Sequence, residues 1–258
     1  MSIYLQKAYA KVNIFLKITG YKDGYHTIAS RFMRVNNLYD TISFVPQKCK
    51  SFTIEGCKDI PKESNSIYKA YKALNEATGD LDILDFFYNH KVVVEKNIPS
   101  QAGLGGGSSD AGTFLRMVYS VCNLKISIDT LAKIGSKVGA DVPFFVYGYS
   151  SANVTGFGEI IEEFDEESLP IEVYTPDIGC DTAKVYGVFH KEFLPYINPN
   201  SANTLLYKNS KEILSMQNSI EELNDLYKPA KLLCPSLNPP GNNWYFSGSG
   251  SSFFCIKE

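Results

Sequence analysis

Pro99, Ser100, Gln101, Ala102, Gly103, Leu104, Gly105, Gly106, Gly107, Ser108 and Ser109 run between two contrasting stretches. Before them, His90 to Lys96 is short and β-branched, as a buried strand should be, and Pro99 stops its ladder. After them, Ala111, Phe114, Leu115, Val118, Val121 and Cys122 recur at helical spacing, so a helix is expected to start near Ser108 to Asp110, capped by a serine or by Asp110. Glycines let backbone N–H groups approach a ligand without Cβ obstruction, and a helix N-terminus adds unpaired donors and positive potential. A strand, a glycine loop and a helix in that order make an anion cradle, most often for phosphate. Three familiar versions fail on a residue that can be checked. Gly107 is followed by Ser108-Ser109 and not by Lys-Ser/Thr, which excludes the P-loop. A dinucleotide loop counted from Gly103 would need glycine at Ser108, and the loop has no βαβ context for a ribose-binding acid. The strand lysine, H-R-D and D-F-G of protein kinases do not follow.

The elements that must hold such a loop can be read from periodicity. Ala8, Ala10, Val12, Ile14, Leu16 and Ile18 alternate with mostly polar residues, which predicts a half-buried strand with Lys11 and Asn13 on one face. Asp23-Gly24 is a turn signal, with a second strand expected over Tyr25 to Val35 and a third over Thr41 to Val45. Ile67, Ala70, Tyr71, Leu74 and Ala77 mark a helix that Ser64 or Ser66 would cap and Gly79 would end. Ser127 is placed to cap another helix through Val138, with Gly139 as its C-cap. Ala140 to Phe145 then turns extended, which leaves Asp141 at a helix-to-strand corner. Gly156-Phe-Gly158-Glu159 punctuates the chain, and a soft boundary there gives domains of residues 1–154 and 155–258. The remainder reads as a strand over Ile171 to Tyr174, a helix near Thr182 to Phe189, a polar helix from about Lys211 to Tyr227, and a strand pair around Ser247 to Ser252. Interleaving without a regular βαβ rhythm predicts α+β architecture.

Composition narrows the partners. The 258 residues carry a net charge of −3 and only three arginines, Arg31, Arg34 and Arg116, so neither a nucleic-acid face nor an arginine phosphate clamp is supplied. The six cysteines form no C-x-x-C pair and have no histidine at ligand spacing, as expected of reduced thiols in the cytoplasm. Lys7, Lys11 and Lys17 interrupt the N-terminal apolar residues, which predicts no signal peptide, and no stretch approaches the length of a membrane span. A soluble cytoplasmic protein with a small-molecule partner is expected.

Ala10-Lys-Val-Asn-Ile-Phe15, Asp23-Gly-Tyr-His26, the loop from Pro99 to Ser109 and Gly139-Ala-Asp-Val-Pro143 occur in order, joined by Asn65, Gly156-x-Gly158-Glu159 and Ser247-Gly-Ser-Gly250. With these motifs the sequence resembles the GHMP kinase superfamily, and within it the kinases of 4-diphosphocytidyl-2-C-methyl-D-erythritol. The resemblance covers most of the chain. It implies a two-domain α+β kinase, the N-terminal domain like ribosomal protein S5 domain 2 and the C-terminal one ferredoxin-like, with nucleotide and substrate meeting between them. It implies transfer of the ATP γ-phosphoryl to a hydroxyl of the methylerythritol part of a cytidine diphosphate compound, giving the 2-phosphate, in the non-mevalonate route to isoprenoid precursors.

The site residues carried by the resemblance are Asp141 as general base, Lys11 as its charge partner, the loop residues as the ATP cradle, Asn65 and Lys96 near the adenosine, and Asn13, Tyr25, His26, Thr182 and Tyr186 on the substrate. By spacing alone each has a plainer reading: a turn cap for Asp141, a solvated strand lysine for Lys11, a helix cap and a strand-end charge for Asn65 and Lys96, hairpin packing for Tyr25 and His26, a locally satisfied amide for Asn13, core packing for Thr182 and Tyr186. His90 and His190 read as structural. Mg²⁺ is expected with ATP, Ser108, Ser109 and Asp141 being the residues to consider, though its ligands stay unassigned. The oligomeric state is open between monomer and weak homodimer. Gly112 stands where the family often has alanine, and the sequence ends at Glu258 where relatives continue into a further helix, so a shortened second domain is expected. Three other readings compete: a GHMP kinase of homoserine, mevalonate or a sugar, a non-catalytic sugar-nucleotide sensor, and an RNA-binding relative of the S5-like fold. The turn motif Asp23 to His26 and the Lys11-Asn13 pair speak against the first, intact Lys11 and Asp141 against the second, and scarce arginine against the third.

Overall fold

A computed structural model of the chain describes residues 4–57, 60–216 and 218–257. In chain order the elements are β1 (Tyr4–Lys22), β2 (Tyr25–Pro46), β3 (Ile54–Glu55), α1 (Ser66–Thr78), α2 (Leu81–Asn89), β4 (His90–Glu95), α3 (Gly106–Val121), α4 (Ile128–Ser136), α5 (Val142–Tyr147), β5 (Ser151–Gly156), β6 (Ile160–Glu163), β7 (Ile171–Tyr174), α6 (Thr182–Glu192), α7 (Ser210–Ser215), α8 (Ile220–Leu223), α9 (Tyr227–Leu233), β8 (Tyr245–Phe246) and β9 (Phe253–Ile256). The architecture is α+β. It comprises two compact units, one built from Met1–Ala10, Leu38–Ile98 and Gly106–Gly148, the other from Lys11–Asn37, Pro99–Gly105 and Tyr149–Glu258.

In the first unit, Thr41 to Pro46 of β2 pairs antiparallel with β4, and β3 adds parallel to β4. Helices α1, α3, α4 and α5 pack on one another, and one apolar core joins them to the strands. Its aromatic centre sets Phe44 edge-on to Phe86, Phe87 and Phe114, while Phe52 stacks on Tyr71 at 3.9 Å. Each ring so buried contributes about 1.5–3 kcal/mol by removal from water.

In the second unit, Ile28 to Met33 of β2 pairs antiparallel with β5, which pairs with β6 through a turn at Gly156 to Gly158. A smaller sheet has the order β7-β9-β8. Tyr227 of α9 packs against Phe246 and Phe253 of that sheet. Arg31 is wholly buried in this unit. It donates to Asn153 Oδ1 at 2.8 Å, Glu166 Oε1 at 3.2 Å and the Leu206 carbonyl at 3.0 Å, and lies 3.3 Å above the Phe164 ring. Its guanidinium is therefore structural.

Several expectations need correction. β1 is not half-buried: from Ala10 to Ile18 both faces are covered, because packing elements supplied from far along the chain lie on the side where alternation alone predicts solvent. Strands expected over Tyr25 to Val35 and Thr41 to Val45 are one strand, β2. Asp23 and Gly24, with φ of 53° and 85°, form the tight turn that was read from the sequence. Asn65, not Ser64 or Ser66, caps α1, its side chain accepting from Ile67 N, while Gly79 in the left-handed conformation ends it. Ser127 does cap α4, but the helix closes at Lys137, before Gly139. The segment expected to be extended after Asp141 is the helix α5. A run of four to eight buried apolar residues fits a strand or a helix equally by pattern, and Pro143 in the first turn with Gly148 at the left-handed C-cap favours the helix. The polar helix expected from Lys211 to Tyr227 is broken into α7 and α8, each with its own cap, Asn209 and Ser219.

Candidate functional site

The glycine segment is built differently at its two ends. Gln101, Gly103 and Gly105 have φ of 52°, 73° and 71°, which winds the loop tightly before the helix. Helix α3 opens at Gly106, two residues before Ser108, so Ser109 and Asp110 lie inside the first turns and cap nothing. Ser109 Oγ instead donates to the Tyr9 carbonyl at 2.6 Å. The glycines have separate reasons. A Cβ at Gly103 would sit 2.1 Å from the Ser247 carbonyl oxygen, and one at Gly106 would sit 2.9 Å from Ile98 Cγ2, so both are required by packing. Gly107 is exposed, and its Cβ would meet only Ser66 Oγ at 3.5 Å. It is the glycine whose missing side chain leaves the helix N-terminus open to a ligand. The second small-residue loop, Ser247 to Ser252, closes on the first: Ser247 Oγ donates to the Gly103 carbonyl at 2.9 Å and Ser252 N to the Ala102 carbonyl at 3.1 Å.

Lys11 is not a solvated strand lysine. It is 4 % exposed, its backbone N–H donates to the Leu104 carbonyl, and its ammonium donates to Asn13 Oδ1 at 2.7 Å and the Gly103 carbonyl at 3.2 Å. The ammonium also lies 4.5 Å from the centre of the Phe32 ring. Asn13, 1 % exposed, donates to Ser30 Oγ at 2.9 Å, and Ser30 donates on to the Phe15 carbonyl at 2.5 Å. The second unit thus holds a buried cation against its own glycine-loop backbone, with an amide and a hydroxyl fixing its direction.

In the first unit, Lys96 stands between two carboxylates, at 2.7 Å from Asp110 Oδ2 and in direct contact with Asp40. Asp40 also accepts from the N–H groups of Asn97 and Ile98, so it is fully engaged. Asp110 Oδ1 is buried without a hydrogen-bond partner among the described residues. Burial pushes the Asp110 carboxyl up to about 7 against the pull of Lys96, with Asp40 adding to the rise. Burial works against the Lys96 charge too, but Asp110 and Asp40 outweigh it and hold its ammonium above the usual lysine range. Asn65 caps α1 and lines a cavity of about 230 Å³ with Phe52, Ile54, Cys57 and Lys62. Asp141 is half-buried at the start of α5, and the corner that carries it packs on the first turns of α3. Gly139 there lies against Ser108 Oγ, and a Cβ on Gly112 would come within 2.5 Å of Phe145 Cβ, which is why alanine does not fit at Gly112. Among the described residues no group of three or more His, Cys, Asp and Glu side chains is placed to hold a metal ion.

The remaining residues form a ring cluster in the second unit. Asp181 caps α6, accepting from Lys184 N, and Thr182, Tyr186, Phe189 and His190 follow on one helical face. His26 meets Tyr186 at 5.2 Å, Phe189 at 5.7 Å, His190 at 5.4 Å and Tyr21 at 5.0 Å between ring centres. Thr182 Oγ1 is hydrogen-bonded to Ser249 Oγ at 2.8 Å. Tyr25, 67 % exposed, touches Phe157 edge-on and extends outward.

A protein of Sulfurovum sp. (strain NBC37-1) described as 4-diphosphocytidyl-2-C-methyl-D-erythritol kinase is 56 % identical over 257 residues, 99 % of this chain and 100 % of that one. One of the same description from Sulfurimonas denitrificans is 50 % identical, over 100 % and 98 % of the two chains. The chain belongs to the 4-diphosphocytidyl-2-C-methyl-D-erythritol kinase family. A crystal structure of a 4-(cytidine 5'-diphospho)-2C-methyl-D-erythritol kinase, 27 % identical, matches this kinase-family fold over 99 % of this chain and 90 % of its own, with a TM-score of 0.70. The GHMP kinases N terminal domain model matches residues 65–149, a span that holds the glycine loop, Lys96 and Asp141.

For this member of the kinase family, the sequence names the loop, Lys11, Asn13, His26 and Tyr186 but not the groups they bond to or pack against. Asp40, Ser30, Phe52 and Ser249 enter through tertiary contact. Asp110 was in view only as a cap. The spacing of Tyr186, Phe189 and His190 on α6 was the one available signal for His190, which had been read as structural.

Proposed function

We propose that this chain transfers the γ-phosphoryl group of ATP to the hydroxyl of 4-diphosphocytidyl-2-C-methyl-D-erythritol that becomes the 2-phosphate. The observation that carries the chemistry is Lys11, a buried cation hydrogen-bonded to the carbonyl of Gly103 in the phosphate loop. Phosphoryl transfer is mostly positioning and charge stabilisation, and a desolvated, directed ammonium is what it requires. Family membership supports the choice of substrate.

The roles rest on the family resemblance and on each group's own surroundings. The exposed N–H groups at the start of α3, beside Gly107, take the phosphates, while Lys11 supplies positive charge as the acceptor oxygen becomes an alkoxide. Asp141 removes the hydroxyl proton. The cavity beside Asn65 is apolar on Phe52 and Ile54 and polar on Asn65 and Lys62, a donor set that fits a purine face and edge, with Lys96 at the adenosine. The His26 cluster and Tyr25 receive the cytosine, Asn13 and Thr182 the rest of the substrate. Mg²⁺ bound with the nucleotide would neutralise phosphate charge, and a magnesium ion usually keeps its waters and takes one or two carboxylates. Asp141 and Ser108 are the protein groups suited to it, whereas the Ser109 hydroxyl is committed to Tyr9. The protein works in the cytoplasm, on a small molecule, without nucleic acid or membrane, as a monomer or weak homodimer.

Coupled ADP-release assays across the cytidine diphosphate compound, homoserine and mevalonate test the substrate; turnover of either alternative in its place overturns the reading. Asp141→Asn is expected to lower turnover about a hundredfold with ATP binding retained, and an unchanged rate would move the base elsewhere.

A further inference from the structure

His26 is half-buried, and one of its nitrogens is unexplained by the fold. Its Nε2 is buried and has no hydrogen-bond partner among the described residues. A buried polar atom left bare costs on the order of 1–3 kcal/mol, so it marks a place where a ligand supplies the missing bond. What holds the ring there is aromatic. Tyr21 of β1 approaches from one side, and Tyr186, Phe189 and His190 from the face of α6. His190, on the exposed side of α6, meets both His26 at 5.4 Å and Tyr21 at 4.5 Å, each edge-on, and so ties α6 to β1 across the His26 ring.

We propose that His190 is a positioning residue for cytidine recognition: wedged between Tyr21 and His26, it fixes the His26 ring so that Nε2 faces the base. The proposal rests on the reading of His26 as the group that meets the cytosine. Tyr21, Tyr186 and His190 are the titratable groups set against the His26 ring by β1 and α6, and no carboxylate or lysine is among these ring neighbours. Burial lowers the His26 imidazole from its ordinary value, and a charge on His190 lowers it further. A proton on His190 therefore penalises one on His26. Cytosine is a neutral base whose edge both donates and accepts, so a neutral imidazole locked in one orientation is suited to it, and a protonated, rotating one is not. His190 contributes both the lock and the neutrality from α6, without touching the reacting hydroxyl.

The chain has three histidines, so nitrogen-detected imidazole titrations can be followed one residue at a time. His190→Phe keeps the wedge but loses the charge, and His26 should then titrate at higher pH than in the unaltered protein while staying below the ordinary histidine value. His190→Ala loses both, and KM for the cytidine diphosphate substrate is expected to rise about fivefold at pH 8, with kcat little changed and the rise beginning at higher pH on acidification. His190→Gln provides a milder variant should the alanine protein fail to fold. A His26 titration unmoved in His190→Phe, together with unchanged KM in the alanine or glutamine variant, overturns the proposal. His26→Ala separates it from its premise: if that variant leaves KM unaltered, the cytosine reading itself is wrong, whereas a raised KM there with silent His190 variants sinks the positioning role alone.

Discussion

Burying a charge is unfavourable unless its protons or lone pairs are taken up, and buried Lys11 and half-buried Lys96 do this with different acceptors. Lys11 gives protons to the oxygens of Asn13 and Gly103. Lys96 is held by two carboxylates, and its charge is consumed by the fold. Asp110 carries the cost, because one of its oxygens has no partner. Its carboxyl lies near 7 in the folded chain against 3.8 ordinarily, so between about pH 4 and pH 7 the folded state binds more protons at this site than the unfolded state. Its contribution to stability is accordingly fully present at low pH and declines as pH rises through that window. Asp110→Asn cannot ionise, and thermal denaturation from pH 5 to pH 8 should show its midpoint gaining on the unaltered protein as pH rises. Parallel curves would mean that Asp110 is ionised throughout.

Helix α3 is the element on which the nucleotide half of the site depends, and its start was misplaced by two residues because serines and aspartate are strong caps in general. Here the loop glycines lead directly into the helix, and Ser109 and Asp110 turn inward to Tyr9 and Lys96. The consequence is practical. Gly106→Val would collide with Ile98 and report on folding, so Gly107 is the position that tests the cradle. Gly107→Val should leave the thermal midpoint nearly unchanged and weaken ATP binding, measured by calorimetry, by about tenfold or more. Full affinity with an intact fold would place the phosphates elsewhere. Helix α5 was misread for a related reason. Val142 to Val146 is buried on every side, so neither periodicity of two nor of 3.6 could show in it.

At the scale of the whole molecule, sequence distance hides the polar networks. Arg31 draws its partners from Asn153, Glu166 and Leu206, and Glu166 in turn accepts from Ser151 and from the backbone and hydroxyl of Ser210. Nothing local to any of these residues announces the others. Glu166→Gln would leave the Arg31 guanidinium buried without its counter-charge, and urea denaturation should register a loss of about 3–5 kcal/mol. A loss below about 1 kcal/mol would show that the carbonyl and amide acceptors suffice. Several placements were nonetheless legible beforehand: the glycine loop between a strand and a helix, Lys11 and Asn13 on one strand, His26 after its tight turn, Thr182 and Tyr186 on one helical face. These signals are local, set by backbone permissiveness and by the period of one element, and such properties are written into a few consecutive residues. The sequence by itself therefore determined most of the elements, the glycine loop between strand and helix, and the family pattern. Only the tertiary structure decided that β1 is covered on both faces, that Asp40 and Asp110 share Lys96, that Ser247 closes on Gly103, and that His190 stands against His26. Burial and pairing depend on what distant segments bring to the other side of a residue, and no periodicity along the chain records that.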